Sequence, residues 1–310
     1  MEKQPDMQLS DELFEIVGCD DAQSEKIARP QTTYLKDAWR RFKQNKVAVG
    51  AFIMLVFIVF LTIFGPTLCG YDYAKMSKDM KQWPSAQHWF GTDKLGRDLF
   101  ARVCVGGRVS MEIGIIGALI TTVIGAIYGA ISAYVGGVVD SVMMRIVEII
   151  SSIPYMIVVI MLSLMLGSSG VGSVMLALCI VGWCPTARLV RGQVLQLVGS
   201  DYIVAARTLG VSDFKIIMRH MLPNTMSVII VNLTFRIPNY IFSEAFLSYV
   251  GLGISAPDTS WGMLASAGKE TMFTEPYMMI FPALMIALTM LSFTLFGDGL
   301  RDALDPKLRR

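Results

Sequence analysis

The sequence predicts an all-α integral membrane protein with six transmembrane helices. Hydrophobic residues make up 54% of the 310 residues before glycine is counted, and the mean hydropathy is +0.54. Soluble domains contain about 45–50% with glycine included, and about 25% charged residues. Charged residues are only 17% of this chain. Several apolar runs are also long enough to cross the roughly 30 Å hydrocarbon layer, which needs about 20 residues of helix.

The chain begins with two segments of opposite charge. Residues 1–30 are rich in acids and have little apolar periodicity, so we expect a flexible acidic cytoplasmic tail and no cleaved secretory signal. Residues 31–46 form a basic juxtamembrane segment in which Trp39 and Phe42 are interleaved with lysines and arginines. Such a segment is typical of the cytoplasmic membrane surface.

A transmembrane domain is predicted over residues 47–300. Its six spans cover about residues 47–68, 109–135, 140–166, 173–190, 225–250 and 276–296. Glycine and alanine in the second span favour close helix packing, and Pro154 should kink the third. Lys and Arg collect in residues 31–46, in the loop after the fourth span and in the tail 301–310. This pattern places both termini in the cytoplasm. Residues 70–108 are also basic, but they are long and are placed outside.

The polar loop 200–223 interrupts the apolar runs. Ser200 or Asp201 can cap a first short helix that Gly210 ends. Ser212 can cap a second helix, which Pro223 is expected to follow. Small side chains at Ala205 and Ala206 would allow close approach of another surface, and Arg207, Lys215, Leu222 and Pro223 complete the candidate set. We interpret the loop as a docking element for a soluble partner; an ordinary loop of interfacial helices is the alternative.

Ionisable residues inside the spans are the second candidate site. Arg236 and Glu244 lie eight residues apart, about two helical turns, so we expect them to face similarly and to line a translocation path. A structural pairing with other helices is the alternative. Arg108 and Glu112 are predicted to form an interfacial pair, and Arg145 and Glu148 are expected to lie at the cytoplasmic membrane surface. Asp98 and Arg102, four residues apart, suggest a short amphipathic helix.

Several function classes are disfavoured. The chain has no GxxxxGK[ST] phosphate loop and no HExxH motif, so we expect neither ATP binding nor enzyme activity in this chain. Its five cysteines show no metal-ligand spacing, and we expect no metal site. The net charge of +2 gives no argument for nucleic-acid binding.

Four motifs resemble one family. Ala205-Ala206, Gly210 and Leu222-Pro223 stand at the spacing of the EAA loop of ABC-importer permeases, although Val204 replaces the usual Glu and His220 the usual Ile. The variant here is similar to the oligopeptide/dipeptide/nickel branch. Three further runs resemble the same branch: GTDKLGRD at 91–98, EAFLSYVGLG at 244–253 and GDGLRDALDP at 297–306. Within that branch, the chain resembles the second-permease type.

The resemblance implies a type I importer bundle in a bacterial cell membrane, with the loop 200–223 as the coupling helix. It implies a second permease subunit in a heterodimer, two ATP-binding subunits that carry ATP and Mg, and an extracytoplasmic substrate-binding protein. The cargo would be peptides, moved by alternating access. Nickel or another cation complex is the alternative cargo. An ion-driven secondary transporter and a membrane scaffold without transport are the rivals of another class.

Overall fold

A computed structural model describes residues 34–167, 170–256 and 258–305. The predicted acidic tail 1–30 and the last residues of the predicted C-terminal tail lie outside this part. The described residues are helical apart from connecting segments, with one isolated β-bridge between Thr92 and Asp98.

The helices follow one another in chain order. They are α1 Tyr34–Gln44, α2 Lys46–Cys69, α3 Leu99–Val135, α4 Gly137–Ser152, α5 Tyr155–Leu166, α6 Val171–Gly182, α7 Cys184–Leu197, α8 Asp201–Thr208, α9 Asp213–Lys215, a π-helical segment Ile216–Met221, α10 Leu222–Tyr249, α11 Trp261–Lys269 and α12 Tyr277–Leu304.

Five helical stretches of the described chain are long and apolar enough to span a membrane. They are Lys46–Cys69, Leu99–Val135, Val171–Leu197, Asp213–Tyr249 and Tyr277–Leu304. Helices α4 and α5 meet the same criterion together, with a bend of 82° between them. Counting this pair as one broken span gives the six spans that the sequence predicts.

The break between α4 and α5 is sharper than the predicted kink. Pro154 precedes the first residue of α5, and Ile153 has an extended backbone at φ −90°, ψ 134°. The proline ring disfavours helical geometry in the residue before it, so Ile153 ends α4 and the chain turns before α5 begins.

Two helices extend beyond the predicted membrane spans. Helix α3 begins at Leu99, ten residues before the predicted second span, because Oδ1 of Asp98 caps it by accepting from the Ala101 N–H at 2.7 Å. The short amphipathic helix is therefore the first turn of α3, and Arg102 pairs with Asp93 instead of Asp98. Helix α12 continues past the predicted sixth span and includes residues 301–304 of the predicted tail.

Helix α3 is the centre of the bundle, in contact with α2, α6, α7, α10 and α11. Glycines on α3 allow the closest of these contacts. A Cβ added at Gly125 would lie 2.6 Å from the Trp183 carbonyl oxygen, and one at Gly129 would overlap the Ala187 carbonyl oxygen. The backbones of α3 and α7 thus touch directly, as small residues permit in membranes.

Candidate functional site

The first half of the loop 200–223 forms the helix that the sequence predicts. Helix α8 begins after Ser200 and ends before Gly210, which has a left-handed backbone at φ +75°. The Val211 N–H bonds to the Ala206 carbonyl at 3.1 Å, the long bond of a Schellman motif. Gly210 therefore reverses the chain between α8 and α9.

The second half of the loop differs from the prediction. Helix α9 follows Ser212, but it continues through the π-helical segment into α10, so Pro223 lies inside a helix and does not follow one. The Leu222 N–H bonds five residues back, to Ile217. We attribute the continuity to this register change, because Pro223 has no N–H to donate and directly follows the π-helical turn in which the hydrogen-bond register shifts.

The two alanines of α8 have different surroundings. Ala205 is exposed, whereas Ala206 is only 8% exposed and belongs to a core cluster with Ile203, Ile216 and Met221. Ala206 therefore packs within its own chain, and Ala205 is the alanine that α8 leaves exposed.

A group of large apolar side chains points away from this core, and we call it the loop surface. Its members are exposed on α8, in the turn after it, and on the start of the helix that follows: Tyr202, Val204, Leu209, Phe214 and Met218, with Leu209 83% and Phe214 72% exposed. Exposed apolar side chains on a polar loop make the loop surface a candidate interaction site.

The cations of the loop are held differently from one another. The Arg207 guanidinium lies over the Tyr134 ring of α3, 4.7 Å from its centroid, and the Tyr134 hydroxyl donates to Oδ1 of Asp213. Arg207 thereby joins α8, α9 and α3. Lys215 is exposed and makes no ion pair within the described chain. Sequence reasoning missed Tyr134. An aromatic residue in the last turn of a span is too common to single it out as a functional residue.

Arg236 borders a cavity of about 410 Å³ beside the break between α4 and α5. Its Nη2 donates to the Gly182 carbonyl, which ends α6, and its Nε lies 3.4 Å from Oγ1 of Thr186. Arg188 also lines the cavity, and no carboxylate does among the described lining residues. Tyr155, Tyr240 and Phe242 complete an aromatic wall. The cavity is therefore positively charged and suits an anionic group with apolar flanks.

Glu244 does not share this cavity. It is fully buried, where Oε2 accepts from Ser110 at 2.9 Å and Oε1 from Ser248 at 2.8 Å. The Ser110 hydroxyl in turn accepts from the backbone N–H of Trp261 at 3.2 Å. The expectation that Glu244 faces like Arg236 is wrong, because eight residues place it about 80° beyond two full turns. Glu244 instead joins α3, α10 and α11.

Two further sets of charged residues do not line the cavity. Arg108 contacts Thr62 and Ile63 of α2 through their carbonyl oxygens, so its predicted pairing with Glu112 is wrong. Arg145 and Glu148 form an ion pair with 2.9 Å between Nη1 and Oε2, and their position at the cytoplasmic membrane surface stays a prediction.

The chain belongs to a family described as the binding-protein-dependent transport system inner membrane component, whose model matches residues 112–310. Residues 33–87 match a second model, the N-terminal TM domain of oligopeptide transport permease C. These findings confirm the resemblance to ABC-importer permeases that the four motifs indicate.

Two curated relatives from Bacillus subtilis (strain 168) match along almost the whole chain. The dipeptide transport system permease protein DppC is 45% identical over 313 residues, covering 100% of this chain and 98% of its own. The oligopeptide transport system permease protein OppC is 44% identical over 299 residues, covering 96% and 98%. The chain is thus similar to permeases of this type from end to end.

A more distant relative and a solved structure extend the comparison. The glutathione transport system permease protein GsiD of Escherichia coli O1:K1 / APEC is 40% identical over 273 residues, covering 87% of this chain and 90% of its own. The MetNI methionine ABC transporter, in an inward-facing conformation, has a chain that matches with a TM-score of 0.53 at 19% identity, covering 66% of this chain and 96% of that one. This match confirms the predicted permease bundle as a fold.

Proposed function

We propose that this chain is a membrane permease subunit that moves peptides through the bilayer by alternating access, driven by ATP-binding subunits at the loop surface. The relatives transport dipeptides, oligopeptides and glutathione by name, and this favours peptides over the nickel alternative. Membership of a binding-protein-dependent family disfavours an ion-driven secondary transporter.

One observation carries the mechanism: a single continuous helical stretch joins the loop surface to the charged cavity. The stretch Asp213–Tyr249 begins with exposed Phe214 on the loop surface and carries Arg236 into the cavity. Because helices transmit displacement as stiff elements, a push on Phe214 would shift Arg236 relative to α6 and α7.

Membership of a binding-protein-dependent transport family supports several partners for this chain. Two ATP-binding subunits, which carry ATP and Mg, would cover the apolar side chains of the loop surface, with Lys215 adding a charge contact. A second permease subunit would complete the path, and an extracytoplasmic binding protein would deliver the peptide. Both termini would then lie in the cytoplasm, on the same side as the loop.

The cavity offers a chemical basis for peptide passage. A peptide carries a carboxylate, which the guanidinium groups of Arg236 and Arg188 would attract, and apolar side chains, which the aromatic wall would accept. Glu244 is enclosed away from the cavity and has a positioning role between helices.

The test is reconstitution of the complete transporter in proteoliposomes with Phe214→Asp. A charge on the loop surface should weaken attachment of the ATP-binding subunits and abolish ATP-dependent peptide uptake. Met76→Asp is the matched control, an equally apolar and 62% exposed side chain in the segment between α2 and α3. Full uptake with Phe214→Asp would overturn the role of the loop surface.

A further inference from the structure

We propose that the junction of α1, α2 and α12 is a binding site for one anionic phospholipid, with an acyl chain in an apolar crevice and the phosphate beside the cations of α1. The site is separate from the loop surface and from the Arg236 cavity. It does not depend on the nature of the cargo.

The crevice has a volume of about 220 Å³. Its lining residues within the described part of the chain are all apolar and come from all three helices: Ala38, Trp39, Phe42, Phe52, Phe296, Leu300 and Leu304. Phe42 packs edge-on against Phe296, with 5.6 Å between ring centroids, and fixes α1 against α12. An apolar recess of this kind, open at the surface of a transmembrane bundle, suits a hydrocarbon chain and offers nothing to a polar ligand.

Two lysines of α1 share a helix face with Trp39, a residue that lines this crevice. Lys36, Trp39 and Lys43 are spaced three and four residues apart, so they share one face of α1. The Lys43 Nζ lies 5.2 Å from the Trp39 ring centroid, and Trp39 itself lines the crevice. The charge is therefore placed directly beside the apolar recess.

These charges are available to a ligand. Asp37 is the single acid of α1, and it is already paired with Arg41 at 3.1 Å. Lys36, Arg40 and Lys43 are exposed and form no ion pair with other described residues. A phosphate would therefore meet cations that have no competing carboxylate on their own helix.

The position along the chain fits the headgroup level of a bilayer. Asn45 caps α2, with its side chain accepting from the Ala48 N–H at 3.1 Å, and the apolar span begins directly afterwards. Trp39 is 53% exposed, as an aromatic at a membrane interface often is. Basic clusters that immediately precede a span attract anionic lipids. The combination of recess, tryptophan and unpaired cations favours a phospholipid over a soluble anion.

The experiment uses the full-length chain with its partner subunits in phosphatidylcholine nanodiscs that contain a small fraction of brominated lipid. The fluorescence of Trp39 is obtained as the difference between the native protein and Trp39→Phe. We expect brominated phosphatidylglycerol to quench this signal more strongly than the same fraction of brominated phosphatidylcholine.

Charge removal supplies the matched pair of variants. Each cation near a membrane surface changes lipid affinity about fivefold, so Lys36→Gln with Lys43→Gln should lower the preference for phosphatidylglycerol roughly 25-fold. Lys75→Gln with Lys78→Gln removes the same charge from exposed positions between α2 and α3 and should leave the preference unchanged.

Three results would overturn the proposal. Equal quenching by both lipids would mean that the crevice meets bulk lipid only. Absence of quenching would mean that protein covers it, either a partner subunit or the acidic segment 1–30. An unchanged preference after removal of Lys36 and Lys43 would show that these cations do not hold the headgroup.

Discussion

The Arg108 guanidinium donates to the carbonyl oxygen of Thr62, with 2.6 Å between Nε and O. Thr62 lies four residues before Pro66, and a proline inside a helix has no N–H to offer the carbonyl four residues back. Arg108 of α3 thus supplies the donor that α2 lacks. In a bilayer this matters because water is not available to replace it.

Loss of this contact should destabilise the pair α2 and α3. Arg108→Ala would leave the buried Thr62 carbonyl without a donor, at a cost of about 1–3 kcal/mol in the free energy of unfolding. Pro66→Ala restores the missing N–H, so Arg108→Ala should cost less in that background. Thermal unfolding of the four purified proteins checks this, and an equal cost in both backgrounds would refute the account.

The two neighbouring alanines of α8 should respond differently to the same change. Ala206→Glu would bury a charge in the core beneath the loop and should lower the melting temperature. Ala205→Glu, at an exposed position, should leave the melting temperature unchanged while reducing recovery of the ATP-binding subunits on affinity purification. Similar melting temperatures for both variants would contradict the described packing of α8.

Removal of the Ser110 hydroxyl should loosen α11. Ser110→Ala takes one donor from the Glu244 carboxylate and one acceptor from the Trp261 N–H. Each unsatisfied buried group costs about 1–3 kcal/mol. Hydrogen exchange should therefore rise in residues 261–269 more than in α12. A uniform rise, or none, would show that this serine does not hold α11.

The segment between α2 and α3 should lose stability in acid. Burial opposes the charge on Asp93, but N–H groups of Arg97 and Leu95 and the Arg102 guanidinium hold its pKa below the ordinary value of 3.8. Because the folded-state pKa is the lower one, this stability is present above about pH 4 and is lost as pH falls through the folded-state pKa.

The measurement for Asp93 is the melting-temperature difference between the native protein and Asp93→Asn. The native protein should be the more stable at pH 7, and the difference should shrink below pH 4. An advantage that does not change with pH would mean that the charge of Asp93 is not what stabilises the segment.

Arg236 should discriminate between free and amidated peptides. Removal of its charge by Arg236→Gln should reduce transport of a dipeptide at least tenfold, while transport of the C-terminally amidated form changes less. Arg145→Gln is the control, since Arg145 is exposed and paired with Glu148 outside the cavity. The affinity of the binding protein for each peptide is measured separately, so that its own preference can be subtracted from the transport result. Equal losses for both peptides would contradict carboxylate recognition.

Much of the fold was predictable because membrane spans are read from composition. Length and apolarity identify each span, and Gly210 identifies the end of α8. The break at Pro154 was predictable in place but not in angle, because the angle depends on how α5 packs against α6. Pro223 was misleading, since a π-helical register change is set by tertiary contacts that the sequence does not display.

The site was less predictable than the fold. Spacing placed Arg236 and Glu244 on one helix, but their hydrogen-bond partners belong to other helices. Arg236 contacts Gly182 and Thr186, and Glu244 accepts from Ser110. Short polar side chains such as serine give little signal in an apolar span. The inward orientation of Ala206 likewise depends on how α8 packs on its own chain.

The most direct test of the proposed function is uptake of a labelled dipeptide by the complete reconstituted transporter, measured with and without ATP and with excess nickel as competitor. We predict uptake that requires ATP, that nickel does not inhibit, and that Phe214→Asp abolishes. Dipeptide uptake driven by an ion gradient without ATP, or nickel uptake in place of dipeptide uptake, would contradict the account.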